Sequence, residues 1–509
     1  MARSVAKNSP APVDERPVVF FRASTGLLHM SQNTAFPLLI SWALRLAGVR
    51  VLHFACRAGM SRCVQGTNKD DYYLSPPCEA CVAHSRRLFA YSSTKGFTFS
   101  RDKDLESILC NLDVEALSSF EYHGLPLGSL VLPAFRWILR RHNLTDDEPT
   151  RFLFREYILS ADWIAQEFSR LVEQTNPRAI VVFNGMFFPE ATVRWIAMQK
   201  GLRVISHEVG FRPHSVFLTE GDATAYPIDI PVDFTLSEQQ NSRLDTYLEG
   251  RFKGNFTMAG IRFWPEMHGL DEILIRKIDE FRQVISVFTN VVFDTSQVHA
   301  NTIFPHMFAW LDMILSLIRS HPEILFVIRA HPDEMRLNKA SRESVHDWVF
   351  QNHVLDLSNV VFIDSHEYIS SYELILRSKF VMVYNSSIGL EAAIMGAAVL
   401  CGGKARFTQY PIVFYPQTSE AYKEQAEVYL RDERVDIPLE FQVNARRFLY
   451  YHLYKVSLPF DEFIESQIQP GFVRLRSFSW RKLLPETSPI FQVITSGILA
   501  GKPFVLDEN

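Results

Sequence analysis

Between Leu325 and Pro411 the chain reads LFVIRAHPDE, then VVFIDS, then SKFVMVYNSSIGLEAAIMGAAVLCGGKARFTQYP. Arg329, His331 and Glu334 follow the first apolar run, and Asn385, Ser386 and Ser387 follow the last. A guanidinium keeps its charge at any relevant pH. An imidazole beside it can donate a hydrogen bond to a phosphate, or supply the acid that assists departure of a leaving group. Small hydroxyl residues at a helix start offer backbone N–H groups and a positive dipole end to an anion. Glu391 lies one turn further in, where a carboxylate can accept hydrogen bonds from ribose hydroxyls. Together these types make a diphosphate or phosphodiester cradle with a sugar-binding acid. Blander readings exist for each. IRAHPDE can be a strand end capped by a polar turn that Pro332 stops, and Arg329 can pair with Asp364 or Glu334. One Ser or Asn would suffice as a helix cap; three small polar residues in a row exceed that need. Glu391 stands four residues after Ser387, not the three of a capping box. Flanked by Leu390 and Ala392, it is expected to be buried, where a carboxylate needs a partner: a ribose, or a structural Arg or Lys.

Those residues must be positioned by strands. The runs Leu325–Ile328, Val360–Ile363 and Phe380–Val383, separated by amphipathic helical stretches, predict a parallel, doubly wound sheet. Such sheets bind ligands at the carboxyl ends of their strands. The first half repeats the rhythm. Val18–Phe21, the loop Gly26–Met30, a helix over Thr34–Leu46 and Val49–Phe54 form one βαβ unit. Ala179–Phe183, a helix around Glu190–Gln199 and Val204–His207 form another. At the ends of these strands Glu208, with His207, is the candidate catalytic base for removing a proton from an acceptor hydroxyl, with an exposed loop acid as the alternative. Asp294 is a second cleft candidate, Asn184 and Glu190 weaker ones, and His29 a possible ligand contact or a structural histidine.

The fold class expected is α/β, with two Rossmann-like doubly wound domains facing a cleft. The boundaries run as follows: a disordered arm over 1–16, rich in polar residues and prolines; a first domain over 17–275; a second over 276–435; and a helical, aromatic segment over 436–509 that packs back on the first. Residues 56–110 break the rhythm and read as an insertion. Within it, Cys56, Cys63, Cys78 and Cys81 suit a tetrahedral structural zinc site that would staple a segment lacking its own core; ordinary free thiols are the alternative.

The R-x-HP-x-E segment, the S-S-x-G-L-E-A helix and the strand end that follows resemble the carboxyl-terminal half of capsule-polysaccharide-synthesis glycosyltransferases. These are similar in turn to the Kdo- and sialic-acid-type transferases of the GT-B fold. VISVFTNVVFDTS (Val284–Ser296) with WLDMILSLI resembles the opening strand and helix of that half-domain. The resemblance covers roughly 284–411. It implies His331, Ser386, Ser387 and Glu391 as contacts to a nucleotide-sugar donor, the glutamate on the ribose, and leaves the nucleotide unfixed.

At 509 residues the chain fits two domains of about 200–250 residues. Hydrophobic content of 47% with 21% charged is globular composition, which argues against a disordered chain. A net charge of −5 argues against a nucleic-acid partner. No apolar run reaches the roughly 18 residues that span a bilayer, and no export signal opens the chain. The expected location is therefore the cytoplasm, at most at the inner face of a membrane through peripheral contact, and the N-x-S/T triplets at Asn143, Asn255 and Asn385 are chance matches. The function expected is transfer of a sugar from a nucleotide-activated donor to a surface, capsule-type polysaccharide or related glycan. Arg329, His331 and the Ser387 helix end would replace a metal at the leaving phosphate. A nucleotide-sugar epimerase of the same fold and a non-catalytic polysaccharide-assembly protein are the alternatives.

Overall fold

The computed structural model describes residues 1–23, 29–254, 257–258, 261–262, 267–335, 340–469 and 471–507. Most of the Gly26–Met30 loop and Asn255 therefore lie outside the described residues. The first domain carries strands β1 (Asp14–Arg22), β2 (Val49–Cys56), β3 (Thr94–Phe97), β4 (Ala179–Phe183), β5 (Val204–Val209) and β6 (Ser215–Thr219). The second carries β7 (Gln283–Phe288), β8 (Ile324–Arg329), β9 (Val360–Ile363), β10 (Phe380–Val383) and β11 (Val399–Cys401). β12 (Leu458–Pro459) comes from the tail and pairs antiparallel with β6.

The sheet orders are β12-β6-β5-β4-β1-β2-β3 and β9-β8-β7-β10-β11. In each, five parallel strands run third, second, first, fourth, fifth in chain order. The direction of winding therefore reverses beside the first strand of each domain, between β1 and β4 and again between β7 and β10. These switch points open crevices at the carboxyl edge. Register is set by apolar residues that recur on both faces: Val18 faces Val51 and Ala179, and Ile285 faces Phe326 and Phe380. Both faces of each sheet are covered by helices, so β8 is buried along its whole length.

Two expectations are corrected here. Residues 1–16 are not a disordered arm: Ala2–Asn8 is a helix that buries Val5, and β1 already starts at Asp14. Nor is 56–110 an insertion without a core. β3 extends the parallel sheet beside β2, with His53 in register with Thr94, and Leu105 and Leu109 are fully buried.

The halves are bound to each other through segments that run beside the cleft. Arg342 donates its amide to the Arg140 carbonyl (2.8 Å) and its guanidinium to the Lys69 carbonyl (2.9 Å). The Glu343 carboxylate accepts from the amides of His142 (2.8 Å) and Asn143 (3.0 Å). On the other side, the Tyr410 hydroxyl accepts from the Ile230 amide and donates to the Ile228 carbonyl. The helix Leu439–Tyr454 packs on Ile388–Ile394 of the second domain before the tail returns to the first. Among the described residues no helix is long and apolar enough to cross a membrane.

The turn after β11 is pressed against the sheet. Gly402 and Gly403 donate their amides to the carbonyls of Val383 and Tyr384, and a Cβ at Gly402 would meet the Trp310 ring at 2.4 Å. Gly402→Ala is therefore expected to lower stability by about 1–3 kcal/mol, the cost of overpacking. Urea unfolding monitored by tryptophan fluorescence measures it.

Candidate functional site

A cavity of about 290 Å³ lies between the halves. Its second-domain walls are the segments that follow β7, β8, β9, β10 and β11, that is, the carboxyl edge on both sides of the switch point. Phe211, Thr224, Ala225 and Arg251 wall it from the first domain. The crevice itself is fastened by side chains: Asn290, just past β7, donates to Asn385, just past β10 (2.7 Å). Beside them Thr289 donates to the Arg329 carbonyl (3.0 Å).

Arg329 and His331 both line the cavity. Arg329 ends β8 with its guanidinium buried, donating to the Ser371 hydroxyl (2.9 Å) and the Glu367 carbonyl (3.2 Å). Burial lowers its pKa to about 10. Asp364 is engaged by His346 instead (2.7 Å). His331 Nδ1 accepts the Asp333 amide (3.2 Å), which leaves the proton of the neutral ring on Nε2. Burial lowers the pKa of this imidazole, so at neutral pH it is a hydrogen-bond donor through Nε2 and not a standing cation.

Asn385, Ser386 and Ser387 are also brought to the wall. Ser387 precedes the helix Ile388–Ile394 without making a side-chain cap, so its hydroxyl is not spent on the helix. Gly389 lets that helix lie close: a Cβ there would meet Phe407 and Val383 at 3.0 Å.

Two predicted donor contacts are corrected. Glu334 does not line the cavity. Its buried carboxylate accepts the Val345 amide at the start of the Val345–Gln351 helix (3.2 and 3.3 Å), and burial raises its pKa to about 8. Glu391 reaches the cavity wall, but its oxygens are taken by Arg251 and by the Tyr372 hydroxyl, both at 2.5 Å, in an ion pair whose side chains are 4% and 6% exposed. The structural arginine, not a ribose, satisfies this acid.

From the first domain, Glu208 near the end of β5 accepts from Asn184 Nδ2 (2.8 Å), the Val209 amide (2.8 Å) and, longer, Asn33 Nδ2 (3.4 Å). Burial raises its pKa, and the charge of Asp294 contributes in the same direction. Asp294 projects from the turn after β7 and is part of the cavity wall; Glu208 stands next to that wall, not in it. His207 is a core residue whose burial holds its pKa near 3. Glu190 is buried away from the cavity, its pKa raised to about 8, and His29 lies against the Phe472 ring at 5.3 Å.

The expected zinc site is not shown, although Cys63, Cys78 and Cys81 all lie near enough to Cys56 to act on it electrostatically. No disulfide joins Cys56, Cys63, Cys78 and Cys81, and burial pushes the thiols of Cys56 and Cys63 up to about 12. Among the described residues no three His, Cys, Asp or Glu side chains are grouped to hold an ion.

Sequence reasoning missed several wall residues. Trp137 and Arg140 sit in a helix end that reads as ordinary core, yet the Arg140 guanidinium lies 4.0 Å from the Trp137 ring and both face the cavity. Lys404 and Arg406 were within reach: they alternate with buried Ala405 and Phe407 straight after a strand.

Two Rossmann-like domains closing on a cleft that both supply make this an α/β protein of GT-B-like architecture. Residues 266–427, about a third of the chain, match the family model described as capsule polysaccharide biosynthesis protein. This agrees with the resemblance carried by the HP and S-S-x-G-L-E-A motifs. Solved structures give distant likenesses. The Thermosulfurimonas dismutans KpsC beta Kdo 2,4 transferase is 12% identical over 55% of this chain and 80% of its own, with TM-score 0.35. The beta Kdo 2,7 transferase of the same protein is 14% identical over 61% and 85%, with TM-score 0.33. A UDP-GlcNAc 2-epimerase from Neisseria meningitidis is 12% identical over 86% and 99%, with TM-score 0.25. At these scores none of the three decides an activity. No curated protein matches the chain.

Removing one partner of a buried pair strands the other charge. Arg251→Ala is accordingly expected to cost about 3–5 kcal/mol in unfolding free energy, read by urea denaturation. A ribose role for Glu391 would instead leave stability nearly unchanged. Glu334 gives a pH test. Its folded pKa of about 8 lies above the ordinary glutamate value of about 4.3, so the folded state holds the proton more tightly than the unfolded. The stability it contributes is complete below about pH 4 and is lost as pH rises toward 8. Glu334→Gln should flatten that slope when unfolding is measured at pH 5 and pH 8.

Proposed function

We propose that the chain is a glycosyltransferase that moves a sugar from a nucleotide-activated donor onto a capsule-type polysaccharide or related glycan. The observation that supports this best is the convergence on one cavity of His331, Asn385, Ser386 and Ser387 from the second domain with first-domain walls and the neighbouring Glu208. The His331 Nε2–H and the serine hydroxyls provide donors for the phosphate that leaves with the nucleotide. Arg329 positions this edge through Ser371 and Glu367 and adds positive charge to the wall. Glu208 takes the proton of the acceptor hydroxyl as that oxygen bonds to the anomeric carbon and the carbon–phosphate-oxygen bond breaks. Asn184 and the Val209 amide hold its carboxylate in place. No step of this scheme requires a metal ion.

Three measurements test this. A nucleotide from the set CMP, UDP, GDP and ADP is expected to raise the melting temperature, with EDTA leaving that effect unchanged; silence toward all four would sink the donor site. Ser387→Ala should weaken donor binding by about 1–3 kcal/mol in calorimetry, the worth of a charge-assisted hydrogen bond. Glu208→Gln should keep donor affinity and lose turnover. Because burial raises the Glu208 pKa and the base acts when ionised, the rate should rise with pH through a limb above the ordinary glutamate range. A limb at about 4.3 would point to another base.

A further inference from the structure

The segment Gly402–Phe407 was no part of the donor cradle read from sequence, yet it brings two cations to the same cavity. Its backbone is fixed: the amides of Gly402, Gly403 and Lys404 donate to Val383, Tyr384 and Ala300 carbonyls at 2.8, 2.7 and 2.9 Å. Ala405 and Phe407 are buried beneath it, so Lys404 and Arg406 are turned to the open side, where both wall the cavity. Arg406 crosses to the first domain. Its guanidinium carbon lies 4.1 Å from the Tyr226 ring centre and 5.4 Å from that of Phe211. One side-chain hydrogen bond ties Arg406 to Tyr226, and stacking on the rings orients the guanidinium so that its other N–H groups remain for an acceptor. Among the described residues neither Lys404 nor Arg406 forms an ion pair with a carboxylate, whereas Arg251 beside them is neutralised by Glu391. The Tyr226 hydroxyl donates to the Val209 carbonyl (2.8 Å), which places Arg406 beside the strand end that carries Glu208.

We propose that Lys404 and Arg406 form an oxyanion subsite at the seam between the domains, filled by an anionic group of the bound sugar substrate. This rests on the donor-site reading above and extends it from Ser386–Ser387 to the opposite wall. The shared chemistry is a planar or tetrahedral oxyanion, whose source is either the donor's phosphate or a carboxylate on a sugar. Arg406 supplies the fork for two oxygens and Lys404 a mobile point charge.

The test is calorimetric titration of the full chain, wild type against Lys404→Gln, Arg406→Gln and the double variant. The probes are inorganic pyrophosphate, the stabilising nucleotide, glucuronate and the matching uncharged nucleoside. The double variant should lose about tenfold or more in affinity for pyrophosphate and nucleotide if the phosphate is the source, or for glucuronate if the carboxylate is. Nucleoside affinity should not move, and the salt dependence of anion binding should become shallower. Lys404 is exposed and its side chain holds no strand in place, so Lys404→Gln alone keeps the test valid if Arg406→Gln lowers the melting temperature. Wild-type affinity for every anion in the variants would overturn the subsite while leaving the donor reading intact. A wild-type chain that binds none of the probes would overturn both. Loss confined to pyrophosphate, with no nucleotide bound by the wild type, would keep the subsite and remove the donor reading.

Discussion

The buried ion pair between Arg251 and Glu391 is the constraint on which the site depends. Arg251 ends the Glu238–Phe252 helix and Glu391 belongs to the short helix that Ser387 precedes, so one contact joins the two halves directly under the cavity. Two charges removed from water are tolerable only when each is matched and the remaining lone pairs are satisfied. Here Tyr372 donates to the second carboxylate oxygen and the Tyr247 hydroxyl accepts from Arg251 (3.0 Å). The helix cannot rotate without breaking that arrangement, and Ser386 and Ser387 are thereby held facing the cavity. Such a pair contributes definition of geometry more than net stability.

Around it, the two sheets place polar ends where the winding reverses. In the second domain the Asn290–Asn385 bond closes the crevice with neutral groups, which keeps its floor polar without adding charge. In the first, Asn184, with φ of 59° just past β4, turns its side chain to Glu208 near the end of the neighbouring β5, on the same side of that domain's switch point. Polar groups thus collect at the carboxyl edges of two copies of one topology, and the cavity lies between those edges.

Much of this was legible in the sequence because it rests on local pattern. Val360–Ile363, Phe380–Val383 and Ala179–Phe183 are strands with the limits that their apolar runs predict, and the polar residues at their ends are at the carboxyl edge. Partnership over long range was not legible. Nothing near Glu391 in the chain announces Arg251, 140 residues away, and a buried carboxylate reads the same whether an arginine or a ligand satisfies it. Glu334 misled for the same reason: its spacing from His331 matches a motif, while its oxygens serve a helix start that begins at Val345. The 1–16 segment and β3 were missed because short elements with few apolar residues are stabilised by tertiary packing, not by propensity. The cysteine spacing does bring four thiols near one another, but no group of ligands able to hold an ion is formed among the described residues.

The strap at Arg342–Glu343 grips the other half largely through main-chain groups: the Arg140 and Lys69 carbonyls and the amides of His142 and Asn143. Every residue except proline presents the same N–H, and every residue presents the same C=O. The main-chain part of the grip therefore does not depend on which amino acids stand at 69, 140, 142 and 143, whereas insertion or deletion of a single residue between 139 and 144 would misalign it. For these main-chain bonds, selection acts on the length and path of the chain, and its imprint on descendants would be constant spacing.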